Sequence, residues 1–87
     1  MKLPIIKHLA TFIEERDQDF VVEAIETLEH LSELSSLKDE ELDVIGELIS
    51  NMYGAIEVDK MVKEEGISTK EATKKFMDRV LGSIDKE

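Results

Sequence analysis

The chain has 87 residues, with 21 acidic and 11 basic side chains, a net charge of −10 and no cysteine. Disulfides and thiolate metal sites are therefore excluded, and so large a negative excess disfavours nucleic-acid phosphates and anionic lipid as partners. A chain this short forms one domain, residues 1–87, and buries only about 60% of its unfolded surface. Without disulfides the usual remedy for that deficit is self-association, so a homodimer is expected.

No apolar run approaches the roughly 20 residues that a membrane-spanning helix needs. The opening Met1-Lys2-Leu3-Pro4-Ile5-Ile6-Lys7-His8 has too short an apolar run for a secretory leader. Together with the absence of cysteine, this predicts a cytoplasmic protein.

Helix formers dominate throughout, and the pattern predicts an all-α fold of four helices. The first is expected over residues 4–15. Pro4 suits its first turn, and Ile5, Ile6, Leu9, Phe12 and Ile13 recur at helical spacing. The second is expected over residues 18–33, capped by Asp17 or Asp19. Its apolar stripe is Val21, Ala24, Ile25, Leu28 and Leu31.

The third helix is predicted over residues 38–65, the longest of the four and the spine of the fold. Lys38 or Ser36 stands at its start, Glu41 can complete a capping box, and Gly66 ends it. The fourth is expected over residues 68–83. Ser68 and Glu71 match a capping box, and Phe76, Met77, Val80, Leu81 and Ile84 supply its apolar side. Gly82 and Ser83 predict fraying near the end, with residues 83–87 loose.

The third helix is the most informative. Leu42, Val44, Ile45, Leu48, Ile49, Met52, Tyr53, Ala55 and Ile56 cover about half its circumference, more than an ordinary surface helix exposes to its core. On the other side Gly46, Ser50 and Gly54 stand in one row, followed by Val58 and Met61. An interior glycine costs about 1 kcal/mol relative to alanine, so two in one helix need a reason. Small residues let a second helix approach closely. Two readings stand: Gly46, Ser50, Gly54, Val58 and Met61 form a dimer seam, or they receive another helix of the same chain. The second half of this helix is apolar nearly all round, and four short helices are not expected to bury it alone.

No arrangement of side chains announces chemistry, so no catalytic residue, metal ligand or cofactor is assigned. Asp43, Glu47, Asn51 and Glu57 share the polar side of the third helix with Tyr53 at the edge of its apolar arc. Glu47, Asn51, Tyr53 and Glu57 are the candidate ligand site, for a small enzyme or a ligand- or metal-binding protein. Glu26 and Glu33 flank His30 on one helix face, but neither His30 nor His8 has the Glu-x-x-His spacing of a carboxylate-bridged metal bundle. The serines lack a nucleophile elbow and the four glycines are isolated, so no phosphate loop exists. Lys70, Lys74, Lys75 and Arg79 make the one basic patch, suited to pairing with acidic helices.

The run Leu37-Lys38-Asp39-Glu40-Glu41-Leu42-Asp43-Val44-Ile45-Gly46-Glu47-Leu48-Ile49-Ser50-Asn51-Met52-Tyr53-Gly54-Ala55-Ile56-Glu57-Val58 resembles a small family of uncharacterised bacterial proteins. So do the opening Met1 to His8 and the closing Phe76-Met77-Asp78-Arg79-Val80-Leu81-Gly82. The resemblance implies a short, stand-alone helical protein of the bacterial cytoplasm and brings no activity, cofactor or catalytic residue. The expectation is a non-enzymatic dimeric interaction or regulatory module, with a small enzyme or ligand-binding protein as the alternative.

Overall fold

The computed structural model describes the backbone of residues 2–85 and the side chains of residues 2–80. Its elements are α1 (Leu3–Glu15), α2 (Gln18–Leu31), α3 (Asp39–Glu65) and α4 (Thr69–Asp85). All four expected helices are present, no strand occurs among the described residues, and α3 at 27 residues is the longest. The side chains of Leu81 and Ile84, and the loosening expected over residues 83–87, lie outside the described part.

Each helix begins and ends for a local reason. The Lys2 carbonyl accepts the Ile5 and Ile6 amides, so α1 starts with Pro4 inside its first turn. The Asp17 carboxylate accepts the Asp19 N–H at 3.1 Å and caps α2. At the head of α3 the Lys38 N–H donates to the Glu41 carboxylate at 2.9 Å. Lysine offers no acceptor in return, so only this half of the box satisfies a backbone group. The acidic first turn of Asp39, Glu40 and Glu41 suits the positive end of the helix dipole. Gly66 adopts φ 65°, and its N–H closes the helix on the Val62 carbonyl. Ser68 Oγ then accepts the Glu71 N–H and starts α4.

Two apolar clusters share α3. In one, Ile6 and Ala10 of α1 meet Val58 and Met61 of α3 and Ala72 and Phe76 of α4. In the other, Ile13 joins Val21, Ile25 and Ala55, with Ile49, Met52 and Ile56 packed on them. The second half of α3 is therefore buried by its own chain, contrary to the expectation that four short helices would not suffice. The stripe of α1 also differs from its sequence pattern. Its buried line is Ile6, Ala10, Ile13, and Phe12, about 100° round the helix from Ile13, stands at the edge against Phe20 at 5.9 Å between ring centres. Leu31 is likewise exposed at the end of α2, which stops two residues short of the expected 33.

The molecule is a slab of 43 × 37 × 18 Å. Helices pack 8–10 Å apart, so the short dimension holds about two layers, and a long helix in such a slab is not covered along its whole length.

Candidate functional site

The candidate ligand residues on α3 do not converge. Asn51 has no exposed surface; its Oδ1 accepts the Lys2 N–H at 2.8 Å and its Nδ2 donates to the Glu47 carbonyl at 2.8 Å. The Glu47 carboxylate lies 3.6 Å from Lys2 Nζ. Both residues therefore hold the start of α1. Tyr53 faces α2 instead, its hydroxyl donating to Glu29 at 3.3 Å, and Glu57 faces α4, 3.6 Å from Arg79 Nη1. Glu47, Asn51 and Glu57 from the polar side and Tyr53 from the edge of the apolar arc each tie α3 to a neighbour, and they point to three different helices.

The row of small residues divides in the same way. A Cβ on Gly54 would stand 3.1 Å from Ile6 Cδ1 and 3.3 Å from Phe76 Cε2, so this glycine admits α1 and α4 to the α3 backbone. Val58 and Met61 are buried beside it. Gly46 and Ser50 are exposed, and a Cβ on Gly46 would meet nothing within 4 Å. Gly46, Ser50, Gly54, Val58 and Met61 thus do not form one seam on the surface of the chain: the last three are interior, received by helices of the same molecule.

Among the described residues no three His, Asp or Glu side chains are placed to hold a metal ion. His30 and Glu33 line a shallow surface depression with Leu31 and Leu34, while Glu26 acts on Tyr53. In the basic patch, Lys75 pairs with Glu65 and Arg79 with Glu57, as charge complementarity to the acidic helix predicts. Lys70 and Lys74 join Lys7 in an α1–α4 groove of about 430 Å³.

Sequence patterns did not single out Asp59. It is 4% exposed and held by Lys63 at 2.9 Å and by the Gln18 amide at 3.2 Å, joining the start of α2 to α3. The i, i+4 spacing to Lys63 was the available signal. That contact raises the Lys63 pKa above 10.5, chiefly through its hydrogen bond to Asp59. The Glu29 carboxylate, first by its charge, raises the Tyr53 pKa above 10.0. Both groups bind their protons more tightly folded than unfolded, so their contribution is complete below the unfolded values and lost as the pH rises through the folded ones. The expected result is a urea midpoint that falls once the pH passes 10.0 to 10.5. Tyr53→Phe should remove the tyrosine part of that fall, and phenolate absorbance should place Tyr53 above free tyrosine. An identical alkaline profile for the variant would contradict the Glu29 contact.

The remaining feature is a line along α3. Val44, Leu48, Asn51, Ala55, Val58 and Val62 alternate at spacings of four and three, the pattern of a helix-packing seam. Asn51, Ala55 and Val58 are fully buried, whereas Leu48 is 38% and Val44 60% exposed. The reason is where α1 begins. The residue that caps it, Lys2, meets α3 at Glu47 and Asn51, so the two turns before that point lack the helix that covers the rest. Beside them Leu34 and Leu37 follow Leu31 through consecutive turns, each N–H bonded to the carbonyl three residues back. Leu31 and Leu34 are 43% and 53% exposed. Leu31, Leu37, Val44 and Ile45 line a groove of about 460 Å³ with Glu40 and Glu41 at its edge. An exposed apolar patch of contiguous side chains is what docking surfaces carry.

Among the described residues no helix is long and apolar enough to cross a membrane. Comparison with curated proteins and with solved structures returns no match. The model of a family described as a family of unknown function (DUF6952) matches residues 1–85, and the chain belongs to that family.

Proposed function

We propose that this chain is a non-enzymatic protein-interaction module that docks a helical partner on the open end of α3. The observation that carries this reading is the half-covered seam: one line of side chains is core from Asn51 to Val58, partly covered at Leu48 and mostly open at Val44. Fully burying an apolar side chain of this size contributes about 1.5–3 kcal/mol. Val44, Leu34, Leu31 and Leu48 are each about half exposed, so together they offer a partner about twice that, before the cost of association.

The test is a photoreactive residue in place of Val44, in cells that make the protein naturally, with a second placed at the exposed Lys60 on the covered half of α3. A discrete adduct with another polypeptide from position 44, absent from position 60 and lost when Leu48→Gln is added, is the expected result. Equal adducts from both positions, or none from position 44, would refute the reading.

A further inference from the structure

We infer that the occupant of this groove is a basic amphipathic helix of another protein; this rests on the docking reading above and adds the chemistry of the partner. The apolar floor comes from Leu31, Leu37, Val44 and Ile45, extended by Leu34 and Leu48. Its edges are acidic. Glu40 and Glu41 line the groove and Glu33 lines the adjoining depression. From Asp39 to Asp59 the chain has no lysine or arginine, while Asp39, Glu40, Glu41, Asp43 and Glu47 crowd the first turns of α3. His30, beside Glu33, is the one other titratable group in the depression.

Lys2 answers only Glu47. Glu33, Glu40 and Glu41 make no ion pair among the described residues, and although one Glu41 oxygen accepts the Lys38 N–H, the rim keeps its negative charge for an incoming group. A second copy on a two-fold axis would set the same surface against itself, acidic rim on acidic rim. Like charges across an interface oppose pairing, and complementary charges select the partner and speed its approach. The shape of the ligand follows from the seam. The spacing of Val44 and Leu48 continues the line that α1 occupies further on with Ile6, Ala10 and Ile13. The fitting partner is a helix with apolar residues at alternating steps of four and three, flanked by Lys or Arg.

The test uses the full chain and three synthetic helical peptides that share one apolar stripe and carry lysine, glutamine or glutamate on its flanks. Binding is read by fluorescence anisotropy at low and high salt. The lysine peptide is expected to bind at least about tenfold more tightly than the glutamate peptide. That advantage should shrink in salt and in Glu40→Gln/Glu41→Gln. Val44→Gln/Leu48→Gln should abolish binding of all three, and Val44→Gln alone, at the more exposed site, should weaken it with the melting temperature nearly unchanged. Equal affinity for all three peptides would overturn the basic partner and leave the docking surface standing. A dimer by light scattering that Val44→Gln/Leu48→Gln splits would replace the partner with a second copy. No binding by any peptide, from a chain that is monomeric, would remove the basic partner, and the position-44 adduct decides the docking reading separately.

Discussion

Gly54→Leu is expected to lower the stability of the isolated chain by up to about 2 kcal/mol. Overpacking a filled core costs typically about 1–3 kcal/mol, and here even the first atom of the new side chain meets Ile6 and Phe76 at 3.1 and 3.3 Å. The rest of a leucine has nowhere to go without separating α1 and α4 from α3. Against this stands a helix-propensity gain of about 1 kcal/mol on leaving glycine. With the gross cost at the top of its range, because the new side chain meets two helices, the net loss reaches about 2 kcal/mol and the fall in Tm roughly 8–16 °C. Gly54→Ala should come out near neutral, because Ile6 Cδ1 is the end of a flexible side chain and has only tenths of an ångström to yield. Gly46→Ala meets open space and should raise stability by about 0.8–1 kcal/mol. Thermal melts of the three variants check the order. A Gly54→Leu chain as stable as the parent would mean that α1 and α4 do not close on α3 as described. The loss would report on the interior of a single chain, so it carries no information about self-association.

Asn51 should be the second most sensitive position. It has no exposed surface and uses its amide both ways, accepting from Lys2 and donating to the Glu47 carbonyl. Asn51→Leu fills the space but leaves the Lys2 N–H without its acceptor, at a cost of about 1–3 kcal/mol. Asn51→Ala also opens a cavity and should lie at the upper end, about 3 kcal/mol. The signature is local as well as global. The Ile5 and Ile6 amides, which bond to the Lys2 carbonyl, should exchange with solvent faster in Asn51→Leu than the amides around Ala55. Uniformly faster exchange would show that Asn51 supports the whole core and does not specifically anchor α1. Urea titration with native-state hydrogen exchange makes both measurements.

Much of this architecture is local chemistry, and local chemistry is legible in a sequence. Asp17, Ser68 and Gly66 act where their side chains or lack of one predict. The length of α3 and its role as spine follow from its wide apolar arc. What the pattern could not show is which part of α3 is covered. Helical projection gives the angle of a residue about the axis but not the height at which a neighbour begins. That height is set by the Lys2–Asn51 bond, which joins residues 49 apart in sequence. Read without it, Asn51 looks like a polar-face ligand, Val58 and Met61 look surplus to the core, and Val44 and Leu48 look buried. With it, the surplus apolar surface moves from the second half of α3 to the first. Phe12 illustrates a smaller version of the same limit: its spacing fits the edge of the stripe, and only the buried line Ile6, Ala10, Ile13 shows on which side of the edge it lies.

The pin between Lys2 and the middle of α3 has a consequence for the nascent chain. Helices of 13 and 14 residues are marginal by themselves in water, and α1 and α2 touch each other less than either touches α3. As translation proceeds, the first third of the polypeptide has only the small α1–α2 contact to settle on until residue 51 has emerged. By contrast α3 and α4, joined at Gly66, can pair through neighbouring sequence. The expected order of assembly runs from the carboxyl half backward, with the earliest-made segment the last to find its place.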